Sequence, residues 1–180
     1  MNASYSTNEK SNNISQSIQS IAMLYKDDYI DSGLAVEKHK NSNFDYTPNL
    51  FGDSSVINAY TAYIKSNLKI GLGVEKTLTN TSTVTVNQKI YNVTATYDLN
   101  PFKIVTSYIK SNNRSDLIDS GSSQFLIGTY YSFSKKTQAL AFYNKIQNNA
   151  NANKDLAVNW VGAGLGEDVS AFGVGLAHRF

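Results

Sequence analysis

Few residues in this 180-residue chain could do chemistry, and they are widely scattered. There are two histidines, His39 and His178, and no cysteine. Neither histidine has a second ligand type at metal-binding spacing, so neither a zinc site nor a general base is expected. The lack of cysteine excludes a disulfide scaffold and a thiol nucleophile. Gly162-Ala-Gly-Leu-Gly166 superficially resembles a phosphate loop. It lacks the lysine, the following helix and the G-x-G-x-x-G spacing, and reads as a flexible loop. No catalytic constellation and no cofactor site are expected. What remains is a set of charges that alternate with apolar residues: Asp31, Glu37, Lys69, Glu75, Lys103 and Arg179. On the wall of a water-filled passage they would set a field favouring cations or anions. On an ordinary surface they would be solvated polar-face residues.

The elements that must position these charges have a period of two. Leu68, Ile70, Leu72 and Val74 fall on one face of an extended segment, and Lys69, Gly71, Gly73 and Glu75 on the other. Ile30, Leu34 and Val36 alternate with Asp31, Gly33, Ala35 and Glu37; Tyr91, Val93, Ala95 and Tyr97 alternate with Asn92, Thr94 and Thr96. At the end of the chain Phe172, Val174, Leu176 and Phe180 lie opposite Gly173, Gly175, Ala177 and Arg179, with His178 on the apolar side. The pattern predicts nine strands, at 17–26, 29–39, 55–65, 68–77, 88–98, 102–111, 123–133, 137–147 and 170–180. Each has about the 9–11 residues that a tilted strand needs to cross a bilayer. Short connections at Asp27-Asp28, Ser66-Asn67, Asp98–Pro101 and Ser134–Lys136 alternate with long polar ones at 40–54, 78–87, 112–122 and 148–169. Tight turns at one end and long loops at the other describe an antiparallel up-and-down transmembrane β-barrel, an all-β fold.

Composition supports this over a soluble β-sandwich or a closed ligand-binding barrel. Charged residues make up 17% of the chain, against about 25% in soluble domains, with 41% hydrophobic residues and a mean hydropathy of −0.32. No run of about 18 apolar residues exists, which excludes membrane-spanning helices. The faces opposite the apolar stripes are rich in Gly, Thr, Asn and Ala, whereas a soluble barrel would crowd Lys and Glu there. Tyr63, Tyr91, Tyr97, Phe102, Tyr131 and Phe133 cluster near strand ends, as interfacial girdles do. A net charge of +2 without a Lys/Arg cluster does not suggest nucleic acid as a partner. Residues 1–10 are polar, with no basic or apolar region of a secretory signal, which suggests a cytoplasmic protein, a mature fragment or a truncated reading frame.

The last ten residues, Ala171-Phe-Gly-Val-Gly-Leu-Ala-His-Arg-Phe180, resemble the C-terminal strand of Gram-negative outer-membrane porins. Tyr97–Ser111 resembles a periplasmic turn and ascending strand of that family, and Leu126–Leu140, with its Ser-Lys-Lys-Thr turn, the penultimate hairpin of general diffusion porins of the beta-proteobacterial type. The resemblance implies the C-terminal portion of a 16-stranded barrel, in which the nine strands correspond to the eighth through sixteenth. On that reading the signal peptide, seven strands and the acidic constriction loop lie outside the chain. Residues 1–16 would be a polar external-loop remnant or an irregular tenth strand, and 17–180 the barrel strands, turns and loops. It further implies an outer-membrane location in contact with lipid, a homotrimer, and passive diffusion of small hydrophilic solutes and ions without a cofactor. Phe172, Val174, Leu176 and Phe180 would be the signal read by the barrel assembly machinery. The family also implies a basic cluster on the pore wall, for which Lys69 and Lys103 are the natural candidates. The alternatives are a small closed outer-membrane barrel acting as an adhesin or structural protein, and a soluble barrel that binds a small ligand.

Overall fold

A computed structural model describes residues 2–9, 15–42, 52–80, 84–156 and 162–179. The described residues form one antiparallel sheet of ten strands in chain order: β1 (Asn2–Glu9), β2 (Ser15–Lys26), β3 (Ile30–Ser42), β4 (Gly52–Lys65), β5 (Leu68–Asn80), β6 (Thr85–Leu99), β7 (Phe102–Ser111), β8 (Ser122–Ser132), β9 (Thr137–Asn148) and β10 (Val169–His178). Each strand pairs with its neighbours in sequence, and β1 and β10 form the two ends of the sheet. The nine expected strands are β2 to β10. The tenth, β1, pairs with β2 from Asn2↔Ala22 to Glu9↔Ser15.

Several strands run beyond the expected 9–11 residues. β5 reaches Asn80 and β6 begins at Thr85, so the connection expected to be long, at 78–87, is mostly sheet. The physical reason is its composition. Thr77-Leu-Thr and Thr85-Val-Asn keep the alternation and the β-branched content that favour pairing. The tight turns fall where expected. Between β2 and β3, the Asp27 carboxylate accepts hydrogen bonds from the Tyr29 and Ile30 amides (2.8 and 2.6 Å) and from the Tyr25 hydroxyl (2.7 Å). These three donors, the Tyr25 hydroxyl first, hold the Asp27 carboxyl below its ordinary range.

Register assigns every side chain to one of two faces. The row Leu34–Ala59–Val74–Tyr91 and the row Leu72–Val93–Tyr108–Phe125 define an outer face. The row Asp31–Ala62–Gly71–Thr94–Ser107 defines an inner one. The strand residues that are buried, such as Ala62, Ser111, Ser122, Asn144 and Ile146, all belong to the inner face, so the sheet curls toward it. Large apolar side chains are exposed chiefly on the outer face, Leu72 at 54% and Phe172, Val174 and Leu176 at 72–74%. Among the described residues the buried apolar set is only Ala62, Ile146, Ala152 and Val169. A sheet with so little interior and so large an apolar exterior has hydrocarbon, not its own core, as the environment for that exterior.

Outer-face hydroxyls are consistent with that environment. Ser32 and Thr61 hydrogen-bond each other at 2.7 Å, and Thr106 donates to the Leu126 carbonyl at 3.0 Å. A polar group without water must find its partner within the protein.

Candidate functional site

The inner face gathers the candidate charges. Asp31, Glu37, Lys69, Glu75 and Lys103 all lie on it by register, and Arg179 follows β10 with its amide donating to the Lys136 carbonyl (2.9 Å). Most of them are paired. Lys69 Nζ is 2.8 Å from Asp31 Oδ2, and the Tyr60 hydroxyl donates to Asp31 Oδ1 at 3.1 Å. The ion pair links β3 to β5 over the intervening β4, where the small Ala62 leaves room. Gly33 is required for the same cluster, because a Cβ there would collide with the Tyr60 ring. Lys26 is the cross-strand partner of Asp31 on the other side. Lys103 lies 3.6 Å from Asp98, its cross-strand partner. Glu75 accepts from Asn58 at 3.2 Å, and Glu37 contacts the buried His39.

Lys69 and Lys103 each follow a tight turn, at the start of β5 and of β7, and each is held by its own aspartate. Lys26, Tyr60 and Asp98 complete the site and were not singled out in the sequence. Tyr60 and Lys26 have a legible parity, but their distance from Asp31 depends on three strands being in register at once. The inner face is also less polar than expected in β8 and β9, where Leu126, Leu140 and Phe142 point inward beside Gln124 and Asn144, themselves hydrogen-bonded at 3.1 Å.

At the loop end, residues 112–121 and 149–156 form a hydrogen-bonded layer. The buried Ser120 hydroxyl accepts from the Arg114 amide (2.8 Å) and donates to the Leu117 carbonyl (2.6 Å); Asn151 donates from its side chain to Ile118 and from its backbone to Asp119. Arg114 and Asp116 form a two-bond ion pair at 3.0 and 2.8 Å, which lowers the Asp116 pKa. The glycine-rich stretch is held rather than free. Asp155 accepts from the Gly162 amide (2.8 Å) and Glu167 from that of Gly164 (2.8 Å), so carboxylates already occupy the amides that an anion would need. Among the described residues no group of His, Cys, Asp or Glu could hold a metal ion.

The expected C-terminal stripe lies on the outer face at Phe172, Val174 and Leu176. Phe180 lies outside the described residues. The profile of the Gram-negative porin family matches residues 1–178. The chain belongs to the Gram-negative porin family. The family resides in the outer membrane.

Solved porin structures carry the same fold. An anion-selective porin from Comamonas acidovorans superposes with a TM-score of 0.76 at 16% identity, covering 98% of this chain and 58% of its own. The in-vitro folded, trimeric form of OmpT, an outer membrane protein of Vibrio cholerae, superposes with a TM-score of 0.65 at 12% identity, covering 91% of this chain and 56% of its own. A variant of OmpT lacking loop L8 gives a TM-score of 0.67 at 12% identity, with coverage of 93% and 55%. The chain therefore spans somewhat more than half the length of these porins. No curated protein sequence matches it.

Proposed function

We propose that this chain forms a section of the wall of a water-filled outer-membrane barrel, through which small hydrophilic solutes and ions diffuse passively. The observation that carries this reading is the division of one sheet into two faces, an exposed apolar exterior and a concave interior bearing the charges. Asp31, Glu37, Lys69, Glu75, Lys103 and Arg179 are pore-lining on this reading. Asp31–Lys69 and Asp98–Lys103 largely cancel, and Lys26 and Arg179 stand toward the tight-turn end, so Glu37 and Glu75 dominate the field farther along the strands. At that level the wall favours cations.

Membership of the family and the trimeric OmpT neighbour support a trimeric assembly. The outer-face stripe of Phe172, Val174 and Leu176, which Phe180 follows in sequence, supports recognition by the barrel assembly machinery. Planar-bilayer recordings of the assembled barrel test the channel reading: it should conduct, and Glu37→Gln combined with Glu75→Gln should shift the reversal potential toward anion preference. A conductance whose selectivity ignores both substitutions would remove them from the wall.

A further inference from the structure

The inner wall changes character across the sheet. From β3 to β6 the row Asp31–Ala62–Gly71–Thr94 is polar or small. From β7 to β10 two successive rows carry apolar side chains instead. One runs Thr96–Val105–Gly128–Phe142–Gly173, and the next, nearer the tight turns, Asp98–Lys103–Tyr130–Leu140–Gly175. Val105, Tyr130, Leu140 and Phe142 are all partly exposed. A passage that only holds water has no use for them, because apolar surface left in water is unfavourable.

These rows open into a cleft of about 520 Å³ beside the turn between β6 and β7, lined by Asp98, Lys103, Val105, Tyr130, Ser132 and Gln138 among others. That volume lies within the range of small-molecule sites. The polar end is fixed by two hydrogen bonds. The Ser132 amide donates to the Pro101 carbonyl at 2.9 Å, and the Gln138 side chain donates to the Ser132 hydroxyl at 3.1 Å. Here Asp98 and Lys103 stand 3.6 Å apart, beyond hydrogen-bond length, with side chains 57% and 47% exposed, so each has room for a partner of its own. The Asp31–Lys69 pair, at 2.8 Å and with the Tyr60 hydroxyl already on Asp31, is closed to the same exchange. At the apolar end the Phe142 ring lies across Gly173, where a Cβ would collide with it, while a Cβ at Gly175 would meet nothing within 4 Å. The wall beside Leu140 is therefore open backbone.

We propose that this cleft is a subsite for α-amino acids with an apolar side chain, the ammonium going to Asp98, the carboxylate to Lys103 and the side chain along Leu140 and Phe142. It deepens the channel reading and rests on the inner face lining the passage. Charge complementarity selects the class. An anionic and a cationic group side by side match a zwitterion, whereas a simple anion would meet the Asp98 carboxylate and a simple cation the Lys103 ammonium. Residues two apart on a strand are separated by about 7 Å, so a side chain leaving the charge pair reaches the row of Phe142.

The test titrates the assembled barrel in detergent micelles with L-phenylalanine, glycine, phenylpropionate and phenylethylamine, dissociation constants being read by ligand-detected NMR. L-phenylalanine should bind about tenfold or more tighter than each of the others, which lack in turn the apolar side chain, the ammonium and the carboxylate. Asp98→Asn should bring L-phenylalanine down to the level of phenylpropionate, and Lys103→Gln to that of phenylethylamine. Leu140→Asn should narrow its advantage over glycine. Phenylpropionate or phenylethylamine binding as tightly as L-phenylalanine, or binding of L-phenylalanine that ignores Asp98→Asn, would overturn the proposal. Planar-bilayer recordings separate it from the reading beneath it. A conducting barrel with no preference for L-phenylalanine rejects the subsite alone, and a barrel that does not conduct rejects the passage on which it rests.

Discussion

The two faces of this sheet solve the problem of charge in opposite ways. On the inner face each lysine near a tight turn has an aspartate within reach, Lys69 with Asp31 and Lys103 with Asp98. On the outer face the lysines stand in a row and even oppose one another, with no carboxylate between Lys76 and Lys89. The strands are the same and only parity differs. Water inside a pore tolerates either sign of charge, so pairing there sets the local field. Hydrocarbon tolerates none, so outer-face charges sit toward the strand ends, Lys65 beside a tight turn and Lys76, Lys89 and Asp53 toward the loops.

The largest effect that could break this contrast is a charge placed in the apolar band. Leu72→Arg should cost about 2–4 kcal/mol in equilibrium unfolding from lipid. Gly73→Arg, one residue along and on the other face, should cost less, because the atoms its Cβ meets belong to the Asn92 side chain, which can turn away. Equal costs at 72 and 73 would contradict the assignment of faces.

A somewhat smaller effect is expected inside. Gly33→Leu forces the Tyr60 ring off its site and should destabilise the sheet by about 1–3 kcal/mol, as overpacking does elsewhere. It should also release the Tyr60 hydroxyl from Asp31, which a change in tyrosine hydroxyl exchange would register.

Breaking the inner ion pair should affect stability little and the field more. Asp31→Asn or Lys69→Gln should leave the unfolding free energy nearly unchanged, since both side chains reach solvent. Their effects on ion selectivity should be opposite in sign. A double-mutant cycle in reversal potential checks this.

The smallest effect lies at the loop end and depends on pH. Asp116 has its pKa lowered by Arg114, so the stability it contributes is complete above the unfolded value of about 3.9 and is lost as pH falls through the lower folded value. Amide exchange of residues 112–121 should stay slow through mild acid and quicken only below that range. Asp116→Asn should abolish this acid step while leaving both faces of the sheet unaffected.

Much of this was legible in the sequence, because parity is a local property. Leu68-Lys-Ile-Gly-Leu-Gly-Val-Glu75 displays both faces in eight letters, and the same holds for β3 and β10. In β8 and β9 it fails, because Leu126, Leu140 and Phe142 make the inner face nearly as apolar as the outer and the alternation loses contrast. The extension of β5 and β6 to Asn80 and Thr85 was hidden because Thr and Asn suit a loop as well as a solvated strand. The Asp31–Tyr60–Lys69 cluster depends on relative register, which no single segment encodes.

The Asp31–Lys69 bridge joins two strands that share no backbone hydrogen bonds. A hairpin that slips by one residue turns every side chain to the wrong face and is rejected by the hydrophobic pattern. A slip of two residues keeps every side chain on its proper face, so that pattern is blind to it. Such a slip between β3 and β4 or between β4 and β5 would carry Asp31 about 7 Å past Lys69, and the first would also move Gly33 out from under the Tyr60 ring. The cluster thus works as a vernier, distinguishing the correct alignment of three strands from the near-miss that preserves their amphipathic pattern.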